Sequence, residues 1–268
     1  MLQLAISPCP NDTFIFHGLL NKKVDFSQQV TTFFMDISEL NKLSQEGKCH
    51  FLKLSFANYY YCKDKYRVLD SGAAMGNGCG PLLIARERLS IEDLKKARIG
   101  IPGERTTAHA LFRTFFPDCQ NKKEVLFSDM ISQLKKGEID CGVIIHETRF
   151  TYQDHDLVNL ADLGELWEWE TGLPIPLGGI FALRTLDEEL VLEMERAIVK
   201  SIEYALENEE EAVEFARQYA QEMDEEVLKA HIKLYVNDFS KSLGVQGNRA
   251  IEVFQETIAK ARRQEEST

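Results

Sequence analysis

Short apolar runs alternate with polar stretches of helical spacing along this chain, and the alternation has the rhythm of a β-α-β fold. Leu2 to Ile6 reads as a strand. The loop SPCPND follows, with Asp12 the expected N-cap of an apolar helix starting at Thr13. Val30 to Met35 predicts a second strand, and Asp36 with Glu39 three residues on has the form of a capping box, opening a helix that ends near Gly47. Cys49 to Ser55 predicts a third strand, in which Lys53 stands out among apolar neighbours, and Asn58 to Tyr61 begins the next helix. Further strands are expected at Arg67 to Asp70 and Pro81 to Ala85, and a capped helix start at Ser90 with Asp93.

Arg98 to Ile101 reads as a strand, Pro102-Gly103 as a turn, and Thr106-Thr107 as the lead into an apolar helix. Val125 to Phe127 and Ile139 to Ile145 are expected strands flanking a helix from Asp129 to Lys136. This repeated β-α-β pattern implies right-handed parallel crossovers. Thr171 to Ile180, rich in glycine and proline, reads as a return crossing between lobes, with Gly178-Gly179 as its hinge and Phe181 to Arg184 as a strand end. Beyond Leu186 the spacing is helical. The expected architecture is α/β with two lobes, 1–89 joined by 178–268 and 90–177, and a cleft between them.

Composition changes this picture mainly by exclusion. A chain of 268 residues, 44% hydrophobic, buries a full core. Its net charge of −12 argues against nucleic acid or a membrane surface as partner, because both need a basic footprint. The N-terminal stretch has no basic region followed by a signal-length apolar run, so the protein reads as soluble and cytoplasmic. Six scattered cysteines form no C-x-x-C pair and are expected to be small buried hydrophobes.

The candidate chemistry centres on CGVIIHETRFTY, Cys141 to Tyr152, where a β-branched run stops at His146. A histidine at the carboxyl end of a strand sits where open α/β sheets present side chains to ligands. An imidazole of ordinary acidity, titrating near about 6.5, is largely neutral at pH 7 and able to take a proton; the alternative is a histidine that merely ends a strand. Lys53 either snorkels out or points into the cleft toward an anion. The Ser7 to Asp12 loop and the Thr106-Thr107 helix start are both strand-to-helix junctions, which favour anions through free N–H groups and the helix dipole, with Arg105 a further charge; each is equally readable as an ordinary cap. Gly76-Asn77-Gly78 lies between strands and fits a turn better than a dinucleotide loop. His146-Glu147 lacks the second histidine of a zincin, so no metal is expected there. His17, His50, His109, His155 and His231 have no companion motif and read as structural.

SPCPNDTFIFHGL (Ser7 to Leu19), KLSFANY (Lys53 to Tyr59), PGERTTA (Pro102 to Ala108), GVIIHETRFTY (Gly142 to Tyr152) and TGLPIPLGGI (Thr171 to Ile180) together resemble the 1,4-dihydroxy-6-naphthoate synthase family. The resemblance implies a periplasmic-binding-protein type II fold. It also implies a role in the futalosine route to menaquinone: conversion of cyclic dehypoxanthine futalosine to 1,4-dihydroxy-6-naphthoate with release of dihydroxyacetone. Carried over by position, the proton acceptor falls on His146 and the substrate contacts on Lys53, Leu54, Ser55, Thr107 and Ala108. Thr106 and Thr107 with Lys53 opposite are expected to hold a carboxylate of the small-molecule substrate, and Ser7, Asn11 and Thr13 to meet hydroxyls. Glu104 and Arg105 depart from the family's PGRHTTA and leave the local charge open. No cofactor is implied, and a homodimer is left open. Rival readings are a chorismate dehydratase of the same pathway and a non-catalytic small-molecule binding protein.

Overall fold

The computed structural model describes residues 1–220 and 224–266, and of 264–266 the backbone alone. Five strands come first: β1 (Leu2–Ile6), β2 (Val30–Phe34), β3 (Phe51–Ser55), β4 (Tyr66–Val68) and β5 (Ala74–Gly76). Then follow β6 (Leu82–Ala85), β7 (Ile99–Ile101), β8 (Lys122–Glu124), β9 (Cys141–Ile144) and β10 (Val158–Asp162), and finally β11 (Ile175–Leu183). They form two sheets. The first has the order β2-β1-β3-β11-β4, with β5 also paired to β11; the second has the order β10-β6-β9-β7-β8.

Parallel pairs β1/β2 and β1/β3 in one lobe, and β7/β8 and β7/β9 in the other, are the crossovers expected from the β-α-β rhythm. Strands β11 and β6 run antiparallel to their neighbours. The sheets place the chain crossings earlier than the sequence pattern does. β6 belongs wholly to the second sheet, so the chain leaves the first lobe at Asn77–Pro81 and not at residue 89, and β11 has rejoined it by Ile175.

Thr171 to Ile180 is accordingly no loose return. Its second half is the buried centre of the first sheet, where Gly178 pairs with Ser55 and Gly179 with Leu54. Glycine is required there by close approach rather than for hinging: a Cβ on Gly178 would stand 2.9 Å from the Leu54 carbonyl oxygen, and one on Gly179 2.9 Å from the Phe56 ring. The tight crossing is instead Gly80 against Gly164, where a Cβ on Gly80 would lie 2.3 Å from the Gly164 backbone. Arg149 braces this point, donating to the Gly80 carbonyl and pairing with Asp162 at 2.6 Å.

Two other expectations shift. The first helix is Pro10–Leu20 with Cys9 as N-cap, because Pro10 suits the first helical position; Asp12 lies in the first turn. The strand expected at Val125 to Phe127 is the exposed edge β8, Lys122–Glu124, after which Val125 turns inward and Phe127–Asp129 form a 3-10 turn.

The largest apolar cluster runs through both lobes, from Leu52, Leu54 and Phe181 to Leu83, Phe112 and Trp167. The C-terminal helix Gly244–Glu266 seals it: Phe254 stacks edge-on against Trp167 of the second lobe, and Gln255 donates to the Phe56 carbonyl of the first at 2.7 Å. That helix belongs to neither lobe alone. Among the described residues no helix is long and apolar enough to cross a membrane.

Candidate active site

A cleft of about 690 Å³, counting the solvent space at its mouth, opens between the lobes. Strand alternation decides what β3 offers it: Lys53 and Ser55 line the cavity, whereas Leu54 points to the apolar core behind. Leu54, expected as a substrate contact, thus offers the cavity no side chain. Thr13 offers it none either. It is fully buried one turn into the helix, and its hydroxyl donates back to the Cys9 and Pro10 carbonyls at 3.1 and 3.2 Å.

Ser7 and Asn11 do line the cavity. Ser7 Oγ accepts the Cys9 N–H at 3.1 Å, and Asn11 Nδ2 donates to Asp12 Oδ1 at 2.9 Å. The same carboxylate oxygen receives Lys53 Nζ at 2.5 Å, and both side chains are buried. The ammonium expected to wait for a ligand anion is thus held by Asp12, since a charge at this depth needs a partner.

The threonines also bond differently from the expectation. Thr106 is the N-cap of helix Thr107–Phe115: its Oγ1 accepts the His109 N–H and donates to the Gly103 carbonyl at 2.7 Å. Thr107 Oγ1 donates to the Leu177 carbonyl at 2.7 Å and accepts the Ala57 N–H at 3.3 Å, tying the second lobe to the first. With both hydroxyls engaged, what the helix start offers a ligand is its backbone. The N–H groups of Thr107 and Ala108 occupy the first two helical positions, which have no intrahelical acceptor, and both residues line the cavity at the positive end of the dipole. Arg105 does not line it; its guanidinium lies over the Tyr61 ring at 4.9 Å. Glu104 lies outside as well, its carbonyl accepting His109 Nδ1 at 2.8 Å.

His146 stands two residues past β9 with a left-handed backbone, φ 59°. That conformation is uncommon outside glycine and clusters at functional positions. Its ring meets Phe127 edge-on at 4.9 Å and lines the cavity, with Nδ1 3.0 Å from Cys9 Sγ. The same sulfur lies 3.3 Å from His231 Nε2, which is 3.2 Å from Asn11 Oδ1. Cys9 and His231, a filler and a structural histidine by sequence pattern, are therefore partners of the candidate base. Burial pushes the Cys9 thiol well up, with the Glu147 and Asp12 carboxylates adding to it, so it stays protonated at neutral pH. Burial first, and the neighbouring His146 next, push His231 well down, so its ring is neutral.

Cys9, His146 and Glu147 bring a sulfur, a ring nitrogen and a carboxylate oxygen within 4.8 Å of one another. A tetrahedral zinc ion would hold sulfur and nitrogen about 3.5 Å apart. At 3.0 Å the pair has the separation of a hydrogen bond instead.

A family model described as menaquinone biosynthesis matches residues 2–260. The chain belongs to that family. Within the menaquinone-biosynthesis family it is 42% identical over 250 residues to a 1,4-dihydroxy-6-naphtoate synthase of Thermus thermophilus, covering 93% of this chain and 91% of that one. It is 40% identical over 255 residues to the protein of the same name from Streptomyces coelicolor, covering 93% and 90%. Protein AF1704 from Archaeoglobus fulgidus superposes with a TM-score of 0.93 at 32% identity, over 98% of each chain. The alkanesulfonate-binding protein SsuA from Xanthomonas axonopodis pv. citri, bound to MOPS, superposes with a TM-score of 0.76 at 12% identity, over 97% of this chain and 93% of its own. That likeness shows the fold alone: two sheet-based lobes of the periplasmic-binding-protein kind, as the resemblance implied.

Proposed function

We propose that this protein is a carbon–carbon lyase of menaquinone biosynthesis, converting cyclic dehypoxanthine futalosine to 1,4-dihydroxy-6-naphthoate and dihydroxyacetone with His146 as proton acceptor. The observation that carries the reading is that His146 and the helix start at Thr107-Ala108 line one cleft between the lobes. Two relatives named 1,4-dihydroxy-6-naphtoate synthase, each matched over nine-tenths of its length, support the substrate class.

In this reading the substrate carboxylate sits on the Thr107 and Ala108 N–H groups, where the dipole favours it. The aromatic-forming half lies along the apolar wall at Ile37, Ala74 and Leu177, while Ser7, Asn11 and Ser55 meet hydroxyls. The Asp12–Lys53 pair is neutral as a whole, so this wall presents polar atoms without excess charge. His146 takes a proton from a hydroxyl of the sugar-derived ring; that oxygen's pair forms the carbonyl of the departing three-carbon fragment as the adjoining carbon–carbon bond breaks, and the pair of the broken bond stays on the ring that becomes aromatic. A well-placed general base contributes about 10²–10⁴-fold to such a step.

The test is incubation with cyclic dehypoxanthine futalosine, and separately with chorismate, followed by mass spectrometry of the products. Naphthoate and dihydroxyacetone from the first substrate are expected. Loss of water from chorismate, or binding of the futalosine without turnover, would replace this reading with one of its rivals.

A further inference from the structure

We infer that Cys9 is a positioning residue for His146: its sulfur accepts the Nδ1–H of His146, with His231 as a second donor, leaving the Nε2 lone pair to face the substrate. The inference deepens the lyase reading and rests on it.

The proton positions follow from the fixed end of the network. Lys53 holds Asp12, and Asp12 Oδ1 takes the Asn11 amide at 2.9 Å, which turns Asn11 Oδ1 toward His231 Nε2 at 3.2 Å. An amide oxygen only accepts, so the hydrogen of the neutral His231 ring is on Nε2. The other nitrogen, Nδ1, is buried without a hydrogen-bond partner, which suits a bare lone pair better than a stranded donor. His231 Nε2, 3.3 Å from Cys9 Sγ, therefore cannot receive the thiol hydrogen, and its one N–H is shared between Asn11 Oδ1 and the sulfur.

A thiol sulfur has lone pairs for two donors. The second is His146 Nδ1 at 3.0 Å, and only the tautomer protonated there has a basic Nε2. Glu147 is buried beside them, with a carboxylate oxygen within 4.8 Å of both the sulfur and the ring nitrogen. Its carboxylate offsets positive charge on the ring. When His146 takes the substrate's proton at Nε2 it becomes an imidazolium, and its bond to sulfur strengthens because the donor is then charged. No proton leaves Cys9. The titratable and charged groups around His146 are Cys9, His231 and Tyr235 from the first lobe, the Asp12–Lys53 pair behind them, and Glu147 and Arg149 on its own loop.

Cys9→Ala and Cys9→Ser, made in the full chain and assayed with cyclic dehypoxanthine futalosine, test this. Cys9→Ala is expected to lower kcat about 10–100-fold, the loss of one hydrogen bond to a charged group, with KM within about twofold of wild type. The acid limb of its kcat/KM profile moves about one unit to lower pH, because the bond removed favours the protonated ring. Cys9→Ser regains most of kcat, since a hydroxyl also accepts two bonds. An unchanged kcat and profile in Cys9→Ala overturns the inference, as does a limb moving to higher pH, the mark of a thiol donating to Nδ1. Should the variants not fold, ¹⁵N NMR of the wild-type protein decides: a protonated Nδ1 and bare Nε2 on His146 support it, and the opposite pattern overturns it. Full turnover by His146→Asn would sink the lyase reading itself, whereas loss there beside an unaffected Cys9→Ala sinks only this step.

Discussion

Lys53→Met tests most sharply how the cavity wall is held. Lys53 is 4% exposed and its partner Asp12 1%, with 2.5 Å between Nζ and Oδ1. At an effective dielectric of about 20 the attraction is about 6–7 kcal/mol, most of it offset by the several kcal/mol that each ion loses on leaving water. The net worth of the intact pair is small, but a single deletion strands the survivor. Asp12 would keep the Asn11 amide and lose its countercharge, a change that costs about 3–5 kcal/mol. For 268 residues, at about 2.1 cal/mol/K per residue, that lowers the melting midpoint by roughly 5–9 °C. Asp12→Asn is expected to cost a similar amount. The double variant Lys53→Met with Asp12→Asn recovers most of the loss, giving a coupling energy of about 3 kcal/mol or more. Calorimetry or urea unfolding of the four proteins closes the cycle. A Lys53→Met protein as stable as wild type, with KM raised about 100-fold, would refute the reasoning and return Lys53 to the role of ligand anchor.

Two further predictions follow from the packing and the buried histidines. Gly80→Ala drives a Cβ to 2.3 Å from the Gly164 backbone, which cannot yield as a side chain would, so thermal unfolding is expected to show a loss of about 1–3 kcal/mol; an unchanged midpoint contradicts the tight crossing. Burial lowers His109 to about 4 and pushes His231 and His17 down as well, whereas free imidazole titrates near about 6.5. The unfolded chain therefore binds more protons between those values. This contribution is whole above about pH 6.5 and is lost as pH falls toward 4, His109 alone accounting for about 2 kcal/mol at pH 5. Urea midpoints at pH 7.5 and 5.0 check it, and equal midpoints speak against it.

The sequence made the lobes legible because periodicity reports each strand locally, and it failed where a residue's reason lies across the fold. TGLPIPLGGI carries the composition of a loop, yet Gly178 and Gly179 are glycine because the Leu54 carbonyl and the Phe56 ring leave no room for a side chain. No local pattern carries that fact. β8 was misplaced by three residues because Val125, the apolar signal, is buried just beyond an edge strand whose own residues are charged.

The site divides in the same way. His146 was visible as a break in an apolar run, and Thr106-Thr107 as a helix start. Lys53 was visible too, but its partner Asp12 is 41 positions away. Cys9 is separated from His146 by 137 positions and from His231 by 222, so their meeting is a property of the tertiary structure. The one local clue to Cys9 was its place in the SPCPND loop, between a strand and a helix start.

The central claim is that His146 moves the proton while the rest of the cavity binds, and one experiment separates the two. Cyclic dehypoxanthine futalosine is titrated calorimetrically into wild type and His146→Asn, and single-turnover formation of the naphthoate chromophore is followed in both. A Kd within a few-fold of wild type alongside a rate lower by about 10²–10⁴-fold is the predicted result. Equal rates in the two proteins would contradict the account.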